Sequence, residues 1–175
     1  MSQKLTLTTT NLLSTTISNE SDTIYYDIQT PVWEPDMTTV RRLPSINASF
    51  ELTGQIRNEG DKPVSVSMYG AEFEPEEQLL KKADGSAPGE SLWQFNDGEG
   101  SVFVWSVSSG NLELRRTDDP SKRALVTFYQ HRRYFKVGMV SQYAYLEVDA
   151  SVIESLDIII VSLLIIERKR RAGLL

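Results

Sequence analysis

The chain has no cysteine and a single histidine, His131, among its 175 residues. Without cysteine, neither a disulfide framework nor a thiolate metal site can form, and one histidine cannot furnish a multi-histidine zinc site. The expected cofactor and metal complement is none. There is also no Gly-x-Ser-x-Gly nucleophile elbow and no glycine loop that opens a helix to cradle phosphate. A calcium loop is missing too, because Asp97-Gly-Glu-Gly is too short and reads as a hairpin turn. These absences exclude every catalytic constellation we can recognise, so the expectation is a non-enzymatic protein. The longest uninterrupted apolar stretch, broken only by Ser162, runs from Ile158 to Ile166. It falls short of the ~20 residues of a membrane span. The threonine-rich start, Met1 to Thr10, is unlike a secretory signal, and together with the missing cysteines it points to a cytoplasmic protein, at most peripheral on a membrane.

Positive charge is scarce in the first two thirds of the chain. Residues 1–110 carry 7 Lys/Arg against 16 Asp/Glu, whereas residues 111–175 carry 11 against 8, for a net charge of −6. An acidic chain is a poor generic nucleic-acid binder, which needs a clustered basic face. The basic last third retains the capacity to meet an anionic partner locally.

What the sequence does have is short alternating segments punctuated by turns, within a length suited to a single domain over 1–175. Strands are expected over about 4–148. They include Lys4 to Leu13, Thr23 to Thr30, Thr38 to Leu43, Ser49 to Ile56 and Val64 to Met68. Others are Leu92 to Phe95, Ser101 to Val107, Leu112 to Thr117, Ala124 to Gln130, Tyr134 to Val140 and Tyr143 to Val148. Pro75 and the acids after it, followed by Lys81 and Lys82, suggest a short surface helix over about 75–82. Turn signals recur about every ten residues, as in an antiparallel sandwich or barrel.

The apolar stretch needs its own decision, because six of the nine residues from Ile158 to Ile166 are β-branched and favour a strand. Against this, Ser151 with Glu154 has the form of a capping box, and Arg168 to Arg171 suit a helix C-terminus. The reading adopted is a helix over about 151–170, apolar all round and therefore enclosed. The fold expected is mainly β (α+β): an antiparallel barrel of roughly 10–12 strands around that helix.

Several short motifs resemble a known grouping: Thr23-Ile-Tyr-Tyr-Asp-Ile-Gln-Thr-Pro31, Phe95-Asn-Asp-Gly98, Val104-Trp105, Leu112-Glu-Leu114, Leu156-Asp-Ile-Ile-Ile-Val161 and Glu167-Arg-Lys-Arg-Arg171. They are similar to an uncharacterised fungal domain family of tubby-like appearance, in the superfamily of tubby domains, LURP-one-related proteins and phospholipid scramblases. The resemblance implies a barrel wrapped round its terminal helix. It also implies phospholipid recognition through basic surface side chains, although no functional residue of those families maps onto a position here.

The candidate anionic site is read from the basic residues of the last third: Arg115, Arg116, Lys122, Arg123, Arg132, Arg133 and Lys136. On neighbouring strands they could converge on a lipid phosphate or another anion; as scattered strand-end charges they would do nothing. The leading expectation is a binding module for an anionic phospholipid headgroup or hydrophobic ligand. The alternative is a protein-interaction or structural module with no small-molecule ligand. The run Arg168 to Arg171 reads as helix-end charge, with membrane-surface or nuclear targeting as its alternative. His131 reads as a turn residue, and Trp33, Trp93 and Trp105 as core, with the lining of a cavity as the alternative.

Overall fold

A computed structural model of the protein describes residues 2–45, 47–83, 91–136 and 138–174, and for 133–136 and 138–140 it describes the backbone alone. The first half is an antiparallel meander: β1 (Ser2–Leu7), β2 (Ser14–Ser18), β3 (Tyr25–Gln29), β4 (Met37–Arg42), β5 (Glu51–Glu59), β6 (Lys62–Met68) and the two-residue β7 (Glu74–Pro75). One helical turn, α1 (Glu76–Leu79), leads into β8 (Lys81–Lys82). The second half comprises β9 (Leu92–Asn96), β10 (Val102–Ser108), β11 (Asn111–Arg116), β12 (Val126–Tyr129) and β15 (Tyr145–Asp149). β13 (Arg132–Lys136) and β14 (Gly138–Gln142) pair only with each other, as a hairpin beside the main sheet. β15 lies between β1 and β12 and so joins the two halves into a sheet of 13 strands.

Alternation decides which face is inside. Leu5 and Leu7, Tyr26 and Ile28, Phe103 and Trp105, Leu112 and Leu114, Leu146 and Val148 are all buried, while the residues between them are more exposed or hydrogen-bonded. These side chains form one apolar cluster with the C-terminal helix α2 (Leu156–Arg171), in which every residue from Ile159 to Lys169 is buried. A helix that is apolar on all sides is stable only when surrounded, and the sheet curls round this one. Ser162, the one polar break in its apolar run, accepts a hydrogen bond from the buried Trp105 Nε1 (2.9 Å) and donates to the Ile159 carbonyl (3.0 Å). Sheet and helix approach closely at Gly54: a Cβ there would lie 2.8 Å from Val161 Cγ2.

Four expectations need correction. The sheet does not close into a barrel: β7 and β8 are its two edges and do not pair. Each is only two residues long, Pro75 has no N–H to donate, and α1 occupies the seam between them. The helix expected on the surface over 75–82 is only the single turn α1 at this seam, with Glu77 and Gln78 exposed and with Glu76 and the adjoining Leu80 buried. The terminal helix begins at Leu156, not near 151, because the capping box does not form. Ser151 instead donates to Asp149 Oδ1 (2.7 Å) within a 3-10 turn (Ala150–Val152), and the Ser155 hydroxyl donates to Asp97 Oδ2 (3.1 Å). Finally, neither Lys4 to Leu13 nor Tyr134 to Val140 is one strand: the chain turns at Thr8–Leu13 and returns as β2, and Tyr134 and Val140 face each other on the antiparallel pair β13 and β14.

The basic run at the end of α2 is also not a solvated tail. Glu167 is fully buried and accepts from Gln130 Nε2 (3.1 Å), Arg170 Nε (2.7 Å) and Arg171 Nε (2.9 Å). Lys169 forms an ion pair with the buried Glu76 of α1 and lies 5.0 Å from the centre of the Trp93 ring. Arg170 donates to the Gly110 carbonyl (2.9 Å) and Arg171 to the Thr10 carbonyl (2.5 Å). The run thus fastens the helix to three loops and the seam. Gly173, at φ +69°, ends the helix, and Leu174 N–H returns to the Lys169 carbonyl (2.9 Å). Among the described residues, no helix is long and apolar enough to cross a membrane.

Candidate functional site

The outward positions of β9, β10 and β11 come together by register: Val104 stands opposite Gln94 and Arg115, and Ser106 opposite Leu92 and Glu113. Over them the chain from Arg116 to Lys122 folds into a tight turn. Asp119 anchors it by accepting from Ser121 N–H (2.8 Å), and these bonds to Ser121 hold the Asp119 carboxyl below the usual carboxylate range. Lys122 N–H closes the turn on the Asp119 carbonyl (3.1 Å), with Lys122 itself in the left-handed region at φ +51°. The result is a groove of about 260 Å³ with an apolar floor of Leu92 and Val104 and with Arg115, Arg116 and Lys122 on its walls.

The three cations are differently engaged. Arg116 grips Asp118 with two bonds of 3.1 Å, and Arg115 ion-pairs with Glu113, two residues earlier on the same strand face. The Arg115 Nε–H and the Ser106 hydroxyl are buried at the groove without a partner among the described residues. Lys122 makes no ion pair among the described residues. A polar wall with two unsatisfied groups, one unpaired ammonium and an apolar floor suits an anionic group attached to an apolar body.

Of the seven residues singled out in the sequence, the structure therefore unites Arg115, Arg116 and Lys122. Arg123 is turned elsewhere, in an ion pair with Asp149 (3.2 Å). Arg132 is exposed and begins the separate hairpin, which leaves the sheet beside the Asn111 end of β11, opposite the Arg116 end where the groove lies. The side chains of Arg133 and Lys136 lie outside the described residues. Sequence reasoning missed Leu92, Val104 and Ser106. Their signal was present, because they alternate with Trp93, Phe103 and Trp105, which face inward.

Other polar clusters have structural work. Asp157, in the first turn of α2, accepts from Tyr26 (2.5 Å) and Tyr69 (3.0 Å), with Arg42 at 3.6 Å. Burial and the Asp157 charge push both phenols up, Tyr69 to about 12. His131 Nε2 meets the exposed Ser141 Oγ at 3.2 Å, but its Nδ1 is buried without a partner. No carboxylate among the described residues therefore orients the ring as a serine–histidine base requires. Trp105 is core, as expected, and Trp93 lies mostly buried beneath Lys169, whereas Trp33 projects from the β3–β4 loop at 87% exposure beside Val32 at 92%. Among the described residues no three His, Asp or Glu side chains converge as metal ligands.

No curated protein and no solved structure matches the chain. A 13-strand sheet folded about its own C-terminal helix, with the charged residues Glu167 to Lys169 buried, is the arrangement adopted by a sequence matched over residues 10–172, and the chain belongs to the Family of unknown function (DUF6593).

Proposed function

We propose that the domain is a non-catalytic binding module that takes the phosphate of an anionic phospholipid headgroup in the groove on β9–β11. The observation that carries this reading is the convergence of Arg115, Arg116 and Lys122 on an apolar floor, with the Arg115 Nε–H and Ser106 hydroxyl left unsatisfied. α2 fills the space inside the sheet, so a ligand is to be sought on the outside. Kinship with tubby-like proteins is part of the same proposal, supported by the many-stranded sheet folded about a hydrophobic terminal helix. So is a place at a cytoplasmic membrane surface. Flotation with neutral vesicles and with vesicles containing a phosphoinositide tests it. Phosphoinositide-dependent binding should be lost in Lys122→Glu and kept in Arg132→Glu, which lies at the opposite end of β11. Equal flotation on both vesicle types, or unchanged binding by Lys122→Glu, overturns the reading.

A second reading, a protein-interaction module, is favoured by Val32 and Trp33, two large apolar side chains held in the solvent by the β3–β4 loop.

A further inference from the structure

At the other end of the molecule, the β1–β2 loop, the β3–β4 loop and the β5–β6 turn surround the C-terminal turn of α2. Two hollows lie among them. One, of about 250 Å³, is lined in part by Arg168, Arg171 and Asp61. The second, of about 410 Å³, shares Asn11, Leu13 and Asp61 with the first and continues to Pro31, Val32 and Asp36. The shared residues make them neighbours across a common border at Asn11, Leu13 and Asp61, with Arg168 and Arg171 on one side and Asp36 on the other.

The cationic side is defined by Arg168, which is 6% exposed. Each neighbouring cation of α2 has a carboxylate: Glu76 for Lys169, and Glu167 for Arg170 and Arg171. Arg168 has no ion pair among the described residues. Its Nη2 donates to the Asp61 carbonyl (3.0 Å), and its Nη1 reaches Thr38 Oγ1 at 3.5 Å. Burial pushes the guanidinium down to about 10, against the opposing influence of the Asp61 charge. Buried charges are ordinarily paired, and here the counter-charge has space to arrive from solution. The acidic side has Asp36, with Asp61 at the border, both exposed and neither in an ion pair among the described residues. Leu13, Pro31 and Val32 line the stretch between.

We infer that these adjoining hollows together bind a small zwitterion, with its phosphate or carboxylate on Arg168 and Arg171 and its ammonium on Asp36 and Asp61. A ligand with only a negative charge would meet Asp61 as a like charge, and one with only a positive charge would meet the arginines, so the pairing of sides selects for both charges in one molecule. This site is independent of the groove on β9–β11.

Calorimetric titration of the full chain with O-phosphoethanolamine and 4-aminobutyrate, and with inorganic phosphate and ethanolamine as separate halves, tests the inference. At least one zwitterion should bind about tenfold or more tightly than either half. Asp36→Asn/Asp61→Asn should reduce it to the affinity of the anionic half, and Arg171→Gln should weaken both zwitterion and anion. Vesicles containing phosphatidylethanolamine, compared with the soluble compounds, tell a lipid headgroup from a free metabolite. Absence of zwitterion binding, equal binding of zwitterion and half, or wild-type affinity in Asp36→Asn/Asp61→Asn overturns the inference. Should Arg171→Gln lower the melting temperature, the exposed Asp36/Asp61 pair decides alone.

Discussion

A single carboxylate, Asp157, shows how a half-buried charge is made tolerable by donors from distant parts of the chain. Tyr26 lies on β3 and Tyr69 at the tight turn after β6, in the left-handed region at φ +52°, and both aim their hydroxyls at Asp157. Tyr26→Phe should therefore destabilise by ~1.5–3 kcal/mol, the usual range for a hydrogen bond to a charged group. The pH dependence has a definite sign. Both phenols ionise at higher pH in the folded state than the ordinary value near 10, so the folded state holds protons the unfolded state has released. Their stabilisation is complete below pH 10 and falls as pH rises toward 12, the folded value of Tyr69. Urea midpoints measured from pH 8 to 11 should decline above pH 10 in the wild type, and the gap to Tyr26→Phe should narrow there. A gap that stays constant to pH 11 would refute the role given to Tyr26. The residue scale is also where sequence reading was weakest. Glu113 beside Arg115 is a pairing that strand alternation makes legible, since i and i+2 share a face. Arg123 with Asp149 and Tyr26 with Asp157 join residues far apart in the chain, and nothing local announces them.

At the scale of elements, most strands were legible because alternation of buried and exposed residues is written directly into the sequence. β2 was not, because the turn before it contains neither glycine nor proline. It is built instead from side chains: Thr9 Oγ1 donates to the Ser14 carbonyl (2.7 Å), and Asn11 Oδ1 accepts from Leu13 N–H (3.0 Å). The start of α2 differs from the expectation for a related reason, since the Ser151 hydroxyl is taken by Asp149 rather than turned forward to accept from a helix N–H. The hydrophobic run itself was decisive for the buried helix, and Gly54 offers a test of how tightly that helix is held. Gly54→Ala should cost ~1–3 kcal/mol, the range for overpacking a filled core. Because the clash is with one methyl of Val161, Gly54→Ala/Val161→Ala should lose less stability than the sum of the two single changes in urea unfolding. Strict additivity would mean that strand and helix separate without cost.

For the whole molecule, the consequential feature is the seam that keeps the sheet from being a barrel. Closure is not decided by periodicity; it depends on whether the last two edges meet, and here α1 stands between β7 and β8, each only two residues long, with Pro75 of β7 lacking an N–H to donate. The gap is bridged through side chains: Glu76 of α1 reaches Lys169 of α2, so the helix inside the sheet holds the seam from within. The side chains of Glu76 and Lys169 are only 5% and 9% exposed, which places the pair where removing one partner strands the other charge. Glu76→Ala should cost ~3–5 kcal/mol for that reason, whereas Glu76→Leu/Lys169→Met should lie close to wild type because no charge is left buried. Thermal unfolding of the two variants separates an electrostatic clasp from a mere site of contact. If the single and double changes destabilise equally, the seam is held by shape. If the single change alone is costly, then the start of the Glu167 to Arg171 run acts as an internal fastening for an open sheet, which accounts for why the charged residues Glu167 and Lys169 are buried.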